Sequence, residues 1–283
     1  EFKGDAISTT SELVKISSDG NLGLEEGQKF ERGGIYRFTV DVTKGNTKAV
    51  LTVEKVGKVD LPAPDIFFGN DKMEVTDTDI YKSDQAFTQG QMITVTGIDN
   101  LNEWWIDPDF FEKQSDGALK FLPINGDYRV TANAVLKYFS VMALKDGKPA
   151  KLQDDGTGAI WAIGKGIGKP SVTSSEVGWE PSKALCLAQV ASKKYQLTLK
   201  AGETLKTSGD PEVISFKFFH QNDWGGEFGN YASSILVEQL KLADSGNLEM
   251  QDNKAFEEGA VYRFTIDVTN GNANADLKVE KIN

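Results

Sequence analysis

The chain reads as an all-β protein made of tandem immunoglobulin-like β-sandwich modules, and three observations predict this. Short apolar–polar alternations recur along its 283 residues, broken by Gly, Asn and Asp. Long helical periodicity is absent. One stretch also occurs twice: residues 20–57 align with 246–283 without a gap, at a constant offset of 226 and with about half of the pairs identical.

The elements follow in order. "IYRFTVDV" (35–42) and "KAVLTVEKV" (48–56) alternate with period two and read as consecutive strands. Thr43-Lys44-Gly45-Asn46 joins them; Thr269-Asn270-Gly271-Asn272 is its later copy, where Asn270-Gly271 suits a turn needing positive φ. "QMITVTGI" (91–98) and "DYRVTANAV" (127–135) are strands of a middle module. "KYQLTLKAG" (194–202), "VISFKFF" (213–219) and "VYRFTIDV" (261–268) are strands of a third. "DPDFFEKQ" (107–114) and "VEQLKLA" (237–243) are the candidates for short helices.

Boundaries fall in polar, proline-bearing stretches. "VGKVDLPAPDI" (56–66) reads as one linker and "KDGKPAKLQDDGTG" (145–158) as a second linker or hairpin. This gives three regions: 1–57, the C-terminal half of a first module; 58–150, an Ig-like middle module; and 151–283, a third sandwich. In the later copy about 75 residues, roughly 153–226, precede the point that matches Glu1, if a sandwich domain has its usual ~100 residues. The first copy lacks that front half; Glu1-Phe2 falls on Glu227-Phe228. Half a sandwich leaves an apolar face and an edge uncovered, so the full protein is expected to continue upstream.

Composition narrows the function. A net charge of -11 and a pI near 4.8 argue against nucleic acid and anionic lipid as partners. No apolar run reaches 18 residues, so no transmembrane helix is expected. The single cysteine, Cys186, rules out an internal disulfide; in "ALCLAQV" it reads as a buried small hydrophobe. There is one histidine, His220, so Ser-His-Asp and Cys-His chemistry would both depend on it. No GxSxG, P-loop or His/Cys metal cluster occurs. "GKGIGKP" (164–170) precedes no helix pattern, and its Lys165 and Lys169 read as loop decoration. Asp107 and Asp109 in "IDPDF" suit a hard cation or a helix cap; EF-hand spacing is missing and the cap is preferred. No catalytic residue, metal or cofactor is assigned.

The third region carries a set of words in order: "IWAIGKGIG", "GW" at 178–179, "KKYQLTLKAG", "SFKFFHQNDWGGEFG", "SGNLEM" and "EGAVYRFTIDVTNGNANADLKVEK". This ordered set resembles the SusE/SusF-like outer-membrane glycan-binding lipoproteins of starch-utilisation systems. The resemblance covers the third region and the preserved half of the first, with the middle resembling the Ig-like spacer of such proteins. It implies a non-catalytic, surface-exposed binder of oligo- or polysaccharide, a glucan among the candidates. The implied setting is an outer-membrane transporter, companion lipoproteins and a lipid anchor upstream. The alternative is a structural or adhesive surface protein whose sandwiches bind another protein.

Sugar binding needs flat aromatic faces and polar groups for the hydroxyls. Trp224 sits in "HQNDWGGEFG" and Trp179 in "SEVGWEPSKA", both polar, glycine-bearing loops. Each either lines a site or plugs an end of the sandwich. Trp161, in "AIWAIG", reads as core; of Trp104 and Trp105, one should be buried and one exposed. On "VISFKFF", Ile214, Phe216 and Phe218 form the core face, leaving Lys217 on the other. The resemblance pairs two aromatics with a base, which gives Trp179, Trp224 and Lys217, with His220 and Asn222 as further polar contacts.

Overall fold

The computed structural model of the chain describes residues 6–18, 20–207 and 213–283. The expected match of Glu1-Phe2 lies outside the described residues. The chain forms two compact units, Glu1–Ala63 and Pro64–Asn283. Both are built from strands and turns, so the protein is all-β.

The first unit holds β1 (Ile7–Thr9), β2 (Val14–Ile16), β3 (Leu22–Leu24), β4 (Gly34–Asp41) and β5 (Ala49–Lys58). They make a β1-β5-β4 sheet, with β1 parallel to β5, and a β2–β3 hairpin. The β4–β5 turn is set by Gly45 at φ 90°, a conformation that favours glycine. The Asp41 carboxylate accepts a hydrogen bond from Thr43 N at 2.8 Å.

The second unit begins with β6 (Phe67–Phe68), β7 (Asp71–Lys72), β8 (Glu74–Asp77), β9 (Ile80–Phe87), β10 (Met92–Ile93), β11 (Val95–Thr96), β12 (Phe111–Lys113), β13 (Leu119–Phe121), β14 (Gly126–Asn133), β15 (Tyr138–Lys145) and β16 (Lys148–Pro149). A five-stranded sheet, β16-β15-β14-β9-β8, and two three-stranded sheets enclose Phe68, which meets Phe139 at 5.2 Å and Phe111 at 5.6 Å. Then come β17 (Trp161–Gly168), β18 (Glu176–Gly178), β19 (Leu185–Cys186), β20 (Ala188–Ala191), β21 (Lys194–Lys200), β22 (Ser215–Phe219), β23 (Ser233–Ile235), β24 (Leu240–Leu242), β25 (Leu248–Met250), β26 (Val261–Asp267) and β27 (Asp276–Lys281). These form a β18-β17-β22-β25-β24 sheet, with β19 also on β17, and a β20-β21-β26-β27-β23 sheet. The two sheets are layers of one sandwich: Phe264 on β26 meets Phe216 and Phe218 on β22 at 5.5 and 6.4 Å.

The repeat seen in sequence is a repeat in structure. The strands β1 to β5 correspond in order to β23 to β27, and β2, β3 and their partners β24, β25 sit at the same 226-residue offset. Pairings match: β4–β5 and β26–β27 are antiparallel hairpins, and β1–β5 and β23–β27 are parallel. Gly271 repeats the φ of Gly45, at 93°. Phe256–Tyr262 repeats the edge-on ring pair Phe30–Tyr36, at 4.6 and 4.7 Å.

Neither expected helix forms. In 107–114 the Asp107 carbonyl accepts from Phe110 and Phe111 N in a turn, and the chain then enters β12. In 237–243, Leu240 and Leu242 alternate with Lys241 and form β24 against β25. A single helical turn's worth of apolar spacing cannot outweigh a sheet edge that accepts the same residues.

Asp107, Asp109 and Lys169 also depart from expectation. Rather than capping a helix or lying in a loop, they form a buried cluster joining the two parts of the second unit. The Lys169 ammonium donates to both Asp107 oxygens at 2.8 Å and to Asp109 at 3.1 Å. Asp109 further accepts from Thr198 N and Oγ1 and from Gln196, at 2.5, 2.6 and 2.7 Å. Nearby, the Trp105 indole donates to Glu203 at 2.9 Å, and the Trp161 indole to Ala150 O at 3.0 Å.

Candidate functional site

Strand β17 is the axis of the site. Its partner on one side is β22, with Trp161 opposite Phe219, Ile163 opposite Lys217 and Lys165 opposite Ser215. Directly opposed residues share a face, so these six belong to one side of the sheet. The other side is the sandwich core, and on this side Trp161, Ile163 and Phe219 are buried as well. On the core side Gly164 lets the strands close up: a Cβ on it would stand 2.3 Å from Phe216 Cα.

On the far side of β17 lies β18, with Gly178 opposite Gly164. Trp179 follows at once, in the turn that leaves β18. Gly178 has φ 57°, which turns the chain at this point. Trp224 arrives from the other edge. After β22 the chain makes a tight loop closed by His220 N to Gly226 O at 2.7 Å, with Gly225 and Gly226 at φ 85° and 70°. Gln221 donates to Trp224 O at 2.6 Å and Asp223 accepts from Trp224 N at 2.8 Å, so the loop is held from within.

The two indoles meet. Their ring centroids are 6.3 Å apart at an interplanar angle of 25°, an offset stack. Trp224 also stands edge-on to Phe219 at 6.0 Å. Trp224 is 50% exposed, whereas Trp179 is half-buried against the core. Lys217, two residues before Phe219 on the same face, is half-buried; among the described residues its ammonium has no hydrogen-bonding or ionic partner. Lys165 is exposed on that face. The structure thus brings Trp179 and Trp224 together beside Phe219, with Lys217 two residues before Phe219 on β22.

His220 lies elsewhere. It shares the parity of Phe218, and its ring packs edge-on against Phe228 at 4.3 Å. Its Nε2 is buried with no hydrogen-bond partner among the described residues, and burial pushes its pKa below the ordinary 6.5. Asn222 is half-buried within the Trp224 loop. Sequence reasoning passed over Phe219, which floors Trp224, and Gln221, which holds the loop; the parity of "SFKFF" was the available signal for the first. Two clefts of about 360 and 390 Å³ have Trp105 in their walls and belong to the junction around Lys169 and Arg263.

Chemically, this surface offers an aromatic platform, an unpaired cation and amide groups. Cys186, the single thiol, is buried, which pushes it up to about 12.

A family model described as "Domain of unknown function (DUF5121)" matches residues 1–43 and 155–269, together more than half of the chain. A second, "Domain of unknown function (DUF5125)", matches 47–152. No curated protein matches. Among solved structures, the chain is similar to the crystal structure of SusF from Bacteroides thetaiotaomicron, at 15% identity and a TM-score of 0.29. That likeness covers 95% of this chain and 65% of the other, so the chain spans less than two thirds of it.

Proposed function

The chain belongs to the DUF5121 family, and on that premise we propose that it binds oligo- or polysaccharide without transforming it, at the cell surface, as part of a glycan uptake system. The observation that carries this reading is the pair of stacked indoles, Trp179 and Trp224, above the strand that bears Lys217. An indole half exposed to water forgoes apolar burial, and a sugar's C–H face restores it. Lys217 and the Asn222 amide supply donors for hydroxyls at the rim, while His220, neutral and packed on Phe228, shapes the loop.

The ordered motifs that resemble SusE/SusF-like lipoproteins support the same reading. They extend it to an outer-membrane, lipid-anchored location beside a transporter and companion lipoproteins. No helix among the described residues is long and apolar enough to cross a membrane. The division into a half module at 1–57, a middle module at 58–150 and a binding module at 151–283 belongs to this proposal.

Trp179→Ala, Trp224→Ala and the double change test it, by retardation in polysaccharide gels and by thermal midpoint. Stacking on one exposed ring contributes about 1 kcal/mol. The double change should therefore weaken binding roughly tenfold or more. Trp224→Ala alone should leave the midpoint nearly unchanged, because its ring is half in water. Full binding with a large fall in midpoint would make the rings core plugs and put the adhesive reading first.

A further inference from the structure

The first unit shows to water what its counterpart in the second unit keeps covered. Leu22, Leu24, Phe30, Phe38, Val40 and Val42 are exposed; Phe38 is 49% exposed. The residues 226 positions on are Leu248, Met250, Phe256, Phe264, Ile266 and Val268, all buried, with Phe264 at 0%. Isolated exposed apolar residues are ordinary, but contiguous rows mark an interaction surface.

Two strand edges are open as well. The counterpart of β3, β25, pairs on its outer side with β22, with Phe216 opposite Leu248. The counterpart of β4, β26, pairs along its outer side with β21, from Lys194–Asp267 to Lys200–Val261. Among the described residues, β3 pairs only with β2, and β4 only with β5. An unpaired edge beside an apolar row is a template for another strand.

We propose that the first unit is a receptor for the complementary half of its own module: a polypeptide segment with the strand pattern of residues 155–226. The second unit chooses this occupant. There, segments β17, β21 and β22 of that pattern cover the same rows and pair the same edges, while Phe216 and Phe218 press on Phe264. The family match points the same way: it ends at residues 43 and 269, at the same place in each copy, and reaches back to 155 in the second. The docked segment adds a strand along β3 and another along β4 and lays aromatic side chains over Phe38.

The test copies residues 155–226 ahead of Glu1, the point that corresponds to Glu227, in an otherwise intact chain. Amide hydrogen exchange of β3 and β4 should slow by about a hundredfold or more, the sign of a paired and covered strand. Binding of an apolar-surface dye should fall severalfold. Phe38→Asp with Val40→Asp in the extended chain should abolish both changes. Unchanged exchange, or protection that survives the two aspartates, overturns the proposal. Peptides of residues 193–201 and 213–220, added to the unextended chain, give an answer that needs no folded graft. The first should slow β4 and the second β3, and failure of both counts against it. Sedimentation of the unextended chain decides against a second copy: a dimer with β4 protected would replace the proposed occupant.

Discussion

Strands β1–β5 and β23–β27 carry the same words and make the same local contacts, yet the rows Leu22–Leu24 and Phe38–Val40 are exposed where Leu248–Met250 and Phe264–Ile266 are buried. The edge-on ring pair, the turn glycine, the aspartate that caps the turn and the lysine–glutamate pair on the hairpin all recur. These features involve residues close in sequence or on paired strands, so both copies have them. Burial recurs in part: Val14, Ala49 and Leu51 are buried like Leu240, Ala275 and Leu277, but Leu22, Leu24, Phe38 and Val40 are not buried like Leu248, Met250, Phe264 and Ile266. The burial of that second set comes from β17, β21 and β22, and the side chains that those strands cover each gain about 1.5–3 kcal/mol by leaving water. Local sequence writes the hairpin; the opposite sheet makes it a core.

The sharpest way to break this comparison is to truncate the same ring in both copies. Phe264→Ala opens a cavity under Phe216 and Phe218 and should destabilise the second unit by about 3–5 kcal/mol. Phe38→Ala removes a ring half in water and should cost the first unit under about 1 kcal/mol. All five tryptophans lie in the second unit, so their fluorescence in a denaturant titration reads it alone; exchange of β4 amides reads the first. Equal losses in the two units would mean that Phe38 is already covered.

This comparison also marks what the sequence disclosed. The repeat was legible because identity at a fixed offset needs no structural knowledge. Strand periodicity placed Ile214, Phe216 and Phe218 inward, where they are buried. Lys169 was not legible: a lysine in a glycine-rich run looks solvated, and its partners Asp107 and Asp109 stand about 60 residues away. At the site, glycine-flanked loops pointed to Trp179 and Trp224, and their stacking depends on β18 and β22 flanking β17, which no local pattern encodes. His220 was legible by parity, three residues after Lys217 and so on the other face, but its loop context obscured that.

The second unit also has an internal clamp, and Lys169→Met should break it. Two buried carboxylates would lose their cation, a loss of about 3–5 kcal/mol. The pH dependence has a definite sign. Burial opposes ionisation of Asp109, but Lys169, Gln196 and Thr198 outweigh it and hold this carboxyl below its ordinary 3.8. Its contribution is present above that value and lost as pH falls through the lower one. Lys169 is raised above 10.5 despite burial, so its contribution is present below 10.5 and lost as pH rises beyond it. Burial raises Asp107, with Asp109 adding to the effect, so ionising it offsets part of the gain as pH climbs past 3.8. Protection of the Leu152 and Ile124 amides, which bond to His220 O and Gln189 O across the junction, should therefore hold from about pH 4 to 10 and weaken outside. In Lys169→Met that plateau should disappear. A flat profile in both proteins would remove the cluster from the account of the junction.

The smallest effect concerns the rim of the first unit's hairpin, where Glu31 pairs with Lys55 and Lys58. The hydrogen bond from Lys55, then that from Lys58, pull Glu31 from 4.5 to about 2. A carboxyl titration followed by NMR should find its midpoint near that value, and Lys58→Ala should move it upward. Because the folded-state value is depressed, any stability from this pair exists above pH 4.5 and fades as pH falls towards 2. The groups are in water, where solvent and salt screen them, so the exchange rates of β4 and β5 should not change measurably in Lys58→Ala. A clear loss of protection there would show that the open face leans on its rim charges, and that the first unit, with no covering sheet among the described residues, is held partly by electrostatics.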